Sequence, residues 1–526
     1  MKRKEFLRHT VPAITLPALL GGFSVKAFGA SPFMQSLMQA STNNDHVLVL
    51  IQLSGGNDGL NTVIPLDQYS VLSTYRPDLA IPSGQTLSLS GLANTALHPS
   101  MTGMQSLFND GKVKIVQGVS YPDPNFSHFR ATDIWTSASD SLQYLNTGWA
   151  GRYLNYEYPN FPTGYPNASV PDPLAIQIGS VLSPTFQGPG AGMGMSISDP
   201  SNFYNLISGI QQPAPATPAG HELSYVRLVA QQTDQYAGVI TGAANSAGTQ
   251  ITYPSGNKLA DQLKIVAQLI SGGLQTKIYM VSMGGFDNHS NQVISGAPAT
   301  GTHADLLAQL SDAIKAFQDD ITQLGVADRV AGMTFSEFGR RILGNESLGT
   351  DHGVAAPMFI FGNQVVAGML GTNPQLPSVV TTDDNVPMQY DFRSVYASLL
   401  QDWFCVPSAD LNTIMLQNFQ TLPLVNASAC ATAIHEIDKA AGMSLVNVYP
   451  NPFVASCKIT FTTFGGHTLS QVFNCEGQVM KTLMDAVIEP GEYTVGFENE
   501  NYPTGVYYAR LQNHSVQQVK SMVIAR

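Results

Sequence analysis

Charge is scarce in this sequence. Only 12% of its 526 residues are Asp, Glu, Lys or Arg, about half the share of an ordinary globular chain. The surface must lean on Ser, Thr, Asn, Gln and Gly instead, as is common in exported proteins. The charge that is present tilts negative, with 37 acidic residues against 25 basic and a net charge of −12. Nothing here would neutralise phosphates in bulk, which excludes a nucleic-acid binder. A single anionic group could still be met by a metal or an arginine. Beyond the N-terminal leader no stretch reaches the ~18 uninterrupted apolar residues of a membrane-spanning helix, so the mature chain is expected to be soluble or surface-attached. Cysteine is scarce too. Cys405, Cys430, Cys457 and Cys475 all fall in the last quarter, and none has the Cys-x-x-Cys spacing of a zinc site. Three disulfide connectivities are open, of which Cys405–Cys430 with Cys457–Cys475 is the local one.

The 44% hydrophobic content is that of a globular protein, and the length calls for more than one domain. Residues 1–30 read as a signal peptide: Met1-Lys-Arg-Lys is basic, Val11–Leu20 is apolar but broken by proline, and Ala27-Phe-Gly-Ala30 offers small residues for cleavage. Lys2-Arg3-Lys4-Glu5-Phe6-Leu7 resembles a twin-arginine signal with one arginine replaced by lysine, so the general secretory route stays open beside it.

Past the leader, strand-like apolar runs alternate with helical patterns. Residues 45–53, 111–118, 174–178, 276–282 and 329–335 read as strands, with a second apolar run at Met358–Phe361. Residues 101–109, 221–242, 257–271 and 303–324 read as helices, the last with Leu306, Leu307, Leu310, Ile314, Phe317 and Ile321 on one face. This alternation predicts a doubly wound α/β/α domain with a mostly parallel sheet over residues 45–420. The loop-rich stretch at 155–220 reads as an insertion over the active edge of that sheet. In such sheets ligands bind beyond the strand carboxyl ends. Asp58, Asp287 with His289, Glu337, and Asp351 with His352 all fall there, in glycine-rich loops. Carboxylates and imidazoles gathered from four loops suit a divalent metal. Zn²⁺ leads, with Mg²⁺, Mn²⁺ and Ca²⁺ as alternatives. His303, at the start of a helix, is close enough in sequence to reach the Asp287 loop, or is a satisfied or solvent-facing histidine. Ser127 is expected at a helix N-terminus, where its hydroxyl serves either as a cap or as a nucleophile favoured by free amides and the helix dipole. His128 and Arg130 are secondary candidates beside it.

Gly55–Gly59, Gly285-Phe-Asp-Asn-His289, Glu337-Phe-Gly-Arg340 and Asp351-His352, in that order, resemble the motifs of an exported family of unassigned activity in the alkaline-phosphatase/sulfatase-like superfamily. The resemblance implies that fold, and metal-dependent hydrolysis of a phosphate or sulfate ester. It implies Asp58, Asp351 and His352 on one metal, Asp287 and His289 on a second, and Ser127 as nucleophile. Arg340 or Arg130 would pair with the anion's non-bridging oxygens. The chain departs from the clan in its Asp-x-His spacing, and it has no histidine between His352 and His435. Glu337 and His303 are the residues that would have to complete a second site. The substrate is then a small anionic ester or a glycan. The rival reading is a non-catalytic surface protein that uses the same fold to bind glycan or a partner.

An Ala-rich linker is expected at 421–444. From 445 to 526 short alternating strands predict a small all-β sandwich. Its Tyr449-Pro-Asn-Pro452 opening, Gly505-Val-Tyr-Tyr508 and Lys520–Arg526 ending resemble the C-terminal sorting domain of the type IX secretion system. That resemblance implies the secretion machinery as partner and export across both membranes.

Overall fold

The computed structural model describes residues 44–167, 169–198, 200, 236–426, 430, 444–463, 466–474, 478–489, 491–500, 502–513 and 516–525. The leader, Cys475, most of the expected linker and the first part of the 221–242 helix lie outside them. Asn44–Ala433 forms one compact unit, and the strands from Ser444 onward belong to a second.

The first strand, β1 (Val47–Leu53), is followed by a small antiparallel sheet of β2 (Val63–Pro65), β3 (Leu87–Leu89) and β4 (Leu92–Leu97). After α1 (Thr102–Asn109) come β5 (Val113–Ser120), α2 (His128–Ser137) and α3 (Trp149–Glu157). Next are β6 (Ala175–Ile178), β7 (Met195–Ile197), helical residues 236–246, α4 (Lys258–Ser271), β8 (Ile278–Met283) and α5 (Thr302–Gln323). The chain continues through β9 (Val330–Ser336), a hairpin of β10 (Gly339–Gly344) and β11 (Thr350–Gly353), β12 (Ala356–Gly362), β13 (Gly368–Leu370), β14 (Tyr390–Asp391) and α6 (Phe392–Ser398).

The main sheet runs β13-β5-β12-β9-β1-β8-β6-β7, with β14 also on β5. All its pairings are parallel except those of β12, which runs antiparallel to both β5 and β9. The reversal follows from what fills the connection. Residues 337–355 form the β10–β11 hairpin instead of a helix crossing back over the sheet, so the chain re-enters beside β9 from the edge at which it left. The segment expected as an insertion at 155–220 instead supplies β6 and β7, two strands of the main sheet, as far as it is described.

Strand β1 explains why the fold is doubly wound. Val47, Val49, Ile51 and Leu53 point into a core formed with α1, α4 and α5. Leu48 and Leu50 point into a second core with α2, α3 and α6. Alternation of side chains across a strand thus serves two helical layers, as its unbroken apolar text requires. The register then levels the strand ends: Leu53 of β1 lies beside Met283 of β8 and Ser336 of β9. The loops after these three strands leave from one edge.

The second unit has two antiparallel sheets. One comprises β15 (Ser444–Tyr449), β16 (Ser456–Thr463) and β19 (Gly491–Glu498). The other comprises β17 (Gly466–Phe473), β18 (Val479–Ile488), β20 (Gly505–Asn513) and β21 (Val516–Ile524). Ile459, Phe461, Val472, Phe497, Ala509, Leu511 and Met522 share one core between them, so the unit is a β-sandwich. Cys405 and Cys430 are disulfide-bonded in the first unit, and Cys457 of the second is a buried free thiol whose pKa burial raises to about 11.

Candidate metal centre

Four loops meet at the carboxyl edge of the main sheet. The loop after β5 ends in Ser127, the N-cap of α2, so His128 is the first residue of that helix. The loop after β8 carries Asp287 and His289, and the β10–β11 hairpin after β9 carries Asp351 and His352. The loop after β1 carries Gly55, Asn57 and Asp58.

Two imidazoles and one carboxylate, His128, His352 and Asp287, bring ligand atoms within 4.8 Å of one another, and a third imidazole, His289, adjoins His352 and Asp287. Nε2 of His289 and Nε2 of His352 each lie 3.2 Å from Oδ1 of Asp287, and Nε2 of His128 lies 3.4 Å from its Oδ2. The Nε2 atoms of His289 and His352 are 2.9 Å apart. A tetrahedral ion with bonds of ~2.0–2.1 Å sets its ligand atoms about 3.3 Å from one another, which is the scale of these separations.

The opposite nitrogen of each ring determines what Nε2 offers. His352 Nδ1 donates to the Phe126 carbonyl (2.8 Å), His128 Nδ1 to the Glu337 carboxylate (3.0 Å) and His289 Nδ1 to the Asp351 carboxylate (3.1 Å). Those oxygens can only accept, so with the protons on Nδ1 all three Nε2 atoms turn lone pairs inward, whereas Asp287, which also only accepts, competes for a proton on Nε2 of His289 or His352 until a cation takes its place. Lone pairs facing one another and a carboxylate repel unless a cation lies among them. Imidazoles oriented through Nδ1 by carbonyl or carboxylate are the usual support of a metal-binding histidine. Phe338 packs against the rings of His128 and His352, centroids 4.9 and 4.3 Å away, and helps hold both.

Behind this layer sits Arg340, with no exposed side-chain surface. It donates to the carbonyls of Gly55, Gly56 (2.8 Å), Phe286 (3.0 Å) and Thr350 (2.7 Å), and to Oδ1 of Asp287 (2.8 Å). One guanidinium thus ties together the loops after β1, β8 and β9. Burial pushes the Asp287 carboxyl up, but the Arg340 and His352 hydrogen bonds outweigh it and hold its pKa at about 2. Burial keeps His352 below the ordinary imidazole value despite its bond to Asp287. Buried Glu337 accepts from the Gly55 amide (2.7 Å) as well as from His128, joining a fourth loop to the assembly.

Several expected site residues stand elsewhere. Asp58 faces Arg76 rather than the cluster: both its oxygens accept from Arg76 Nη1 (2.9 and 2.7 Å), and Gln292 Nε2 donates to Oδ2 (2.6 Å). Burial raises the Asp58 pKa, yet Arg76 and His303 bring it below the usual carboxylate range. His303, fully buried, bonds Asn57 Oδ1 (3.0 Å), and burial lowers its pKa to about 4. Arg130 is occupied by Asp133 and the carbonyls of Asp140 and Ser141, and its guanidinium lies 4.0 Å from the Tyr144 ring centre. Neither it nor Arg340 faces solvent as an anion clamp would. Glu337 and Asp351 stand behind imidazoles rather than at the point of convergence. Ser127 is exposed at the α2 N-terminus, and its hydroxyl does not cap the helix.

His128 ranked only as a secondary candidate in the sequence. Its signal was its position after a strand in Asn125-Phe-Ser-His128, overshadowed by the adjacent serine. Arg76 and Gln292 had no local signal, since both act through tertiary contact.

Fold and centre together define an exported α/β protein with a His/Asp cluster at its sheet edge. Residues 265–406 match the family described as "Protein of unknown function (DUF1501)", and residues 447–525 match "Secretion system C-terminal sorting domain". The first match lies within the α/β unit and the second spans nearly all of the β-sandwich, and that tail directs the chain by type IX secretion to the cell surface or extracellular space. Among the described residues no helix is long and apolar enough to cross a membrane. No curated protein matches the chain. Among solved structures it is similar to a protein in the alkaline phosphatase superfamily from Vibrio parahaemolyticus, at 9% identity and TM-score 0.33, covering 93% of this chain and 83% of that one. A Bacteroides thetaiotaomicron structure titled for metabolism of multiple glycosaminoglycans matches at 7% identity and TM-score 0.31, covering 91% and 89%. Alkaline phosphatase from the Antarctic bacterium TAB5 matches at 9% and 0.23, covering 61% and 92%. These likenesses say nothing of activity.

Proposed function

We propose that His128, His289, His352 and Asp287 bind one divalent metal ion, Zn²⁺ by preference, and that the protein is a secreted metal-dependent hydrolase of phosphate or sulfate esters. The observation that carries this reading is that His128, Asp287 and His352 bring ligand atoms within 4.8 Å of one another, with His289 Nε2 2.9 Å from His352 Nε2 and each ring's Nδ1 against an accepting oxygen. Three neutral imidazoles with one carboxylate suit Zn²⁺ better than the hard, oxygen-seeking Mg²⁺ or Ca²⁺. Such an ion, when bound, polarises an ester oxygen and lowers the pKa of a hydroxyl or water beside it.

The chain's own residues supply the rest. Ser127 is flanked by Phe126, whose carbonyl holds His352, and by His128, so its hydroxyl is carried at the edge of the centre. The free amides at the start of α2 favour the negative charge of an arriving ester. Attack of Ser127 Oγ on the phosphorus or sulfur breaks the bond to the leaving oxygen, and the serine proton ends on that oxygen. Water then cleaves the serine ester, returning the hydroxyl and releasing inorganic sulfate or phosphate from a monoester, or a phosphate monoester from a diester. Phe129 and Tyr144, 90% and 77% exposed, lie on α2 and the segment after it and offer apolar surface for the alcohol part of the ester. Elemental analysis of the purified protein should find about one metal ion per chain. Ser127→Ala should lower ester hydrolysis at least 100-fold, on the order of a lost covalent nucleophile, with metal content unchanged. Metal-free protein, with His352→Ala equal to wild type in activity, refutes the proposal.

A further inference from the structure

We infer that this centre selects singly charged esters, sulfate monoesters or phosphodiesters, and rejects dianionic phosphate monoesters. The inference rests on the hydrolase reading above and comes from the charges around the point of convergence.

Three carboxylates surround it: Asp287, Glu337 behind His128 and Asp351 behind His289. Against them stand Arg340 and the two charges of a divalent ion. Asp58 adds nothing, because Arg76 pairs with it in a buried salt bridge. With a metal bound, the centre is therefore close to neutral before substrate arrives. The usual remedy for a dianion, a free arginine or lysine beside the metal, is missing among the described residues here. Arg340 and Arg76 have no exposed side-chain surface and Arg130 has 9%. Arg341, beside the centre, is 23% exposed, but it is already engaged: its Nε donates to the His352 carbonyl (3.3 Å) and its Nη1 to Thr382 and to Asp383, which pairs with its charge. The loops at 54–61, 121–130, 284–292 and 337–353 contain no lysine.

Among the described residues a second negative charge on the substrate thus meets no second unpaired positive charge. It meets Asp351, whose side chain is 59% exposed on the hairpin, and its larger desolvation goes uncompensated. A monoanion satisfies the ion and the α2 amides with less to desolvate.

The test compares 4-nitrophenyl sulfate, bis(4-nitrophenyl) phosphate and 4-nitrophenyl phosphate on the metal-loaded protein, so that the leaving group is constant. At least one monoanion should exceed the dianion in kcat/KM by about tenfold or more, and the two monoanions separate sulfate from phosphodiester. Thermal-shift titrations with benzenesulfonate and phenylphosphonate, a monoanion and a dianion at about pH 8.5, read binding without turnover and should favour the sulfonate. Asp351→Asn should move the ratio of dianion to monoanion turnover up several-fold, a change that a loss of fold would not produce. Preference for 4-nitrophenyl phosphate, together with tighter phenylphosphonate binding, overturns the inference and leaves the hydrolase reading intact. Hydrolysis of none of the three overturns both.

Discussion

Neutral imidazoles set the character of this site at the scale of single residues. His98 and His303 stack edge to face beside the loop after β1, and burial lowers their pKa values to about 3 and about 4. Asp58 favours the charged form of His303, while Arg340 and Arg76 oppose it. In the unfolded chain both would take up a proton near pH 6.5. Between about pH 6.5 and pH 4 the unfolded state therefore binds more protons, and stability falls as pH falls. Urea midpoints measured from pH 7 to pH 4.5 should drop by an amount equivalent to a few kcal/mol, and His303→Asn should flatten the slope. A profile that rises or stays level as the solution is acidified rules out buried neutral His98 and His303.

Elements deliver these residues through close backbone approach. Gly55 follows β1 with φ at +126°, and a Cβ placed there would lie 2.2 Å from the Asp287 amide nitrogen. The loop after β1 can therefore lie directly on the loop after β8 only because residue 55 has no side chain. Gly55→Ala should destabilise the protein by at least about 2 kcal/mol, as read by chemical denaturation. It should also weaken metal binding, since the Gly55 amide and carbonyl hold Glu337 and Arg340. A substitution neutral in both measurements would show that these loops are not rigidly coupled. The same elements show what the sequence made legible. The strand and helix patterns of β1, β5, β8, β9, α4 and α5 could be read directly, because burial on both faces or along one stripe leaves an apolar period in the text. The antiparallel direction of β12 and the recruitment of β6 and β7 into the sheet could not, since pairing partners leave no such period.

The whole molecule combines two units, each with its own hydrophobic core. Separate cores need not melt together. Calorimetry of the full chain should show two transitions, and chelation by EDTA should lower only the one belonging to the α/β unit, by several degrees for an ion bound well below its free concentration. Restoring Zn²⁺ should reverse the change. A chelator that leaves both transitions in place argues against a tightly bound ion in the centre.

The sequence by itself determined that the chain is exported, that an α/β unit precedes a β-sandwich, and that acidic and imidazole residues gather past strand ends. Those properties are written in local composition and period. Only the tertiary structure decided which of those residues converge. Asp58 is drawn to Arg76 and Gln292, His303 to Asn57, and Arg340 to four carbonyls, while His128 joins Asp287, His289 and His352. A hydrogen-bond partner hundreds of positions away is chosen by strand register and loop path, and neither is readable from neighbouring residues.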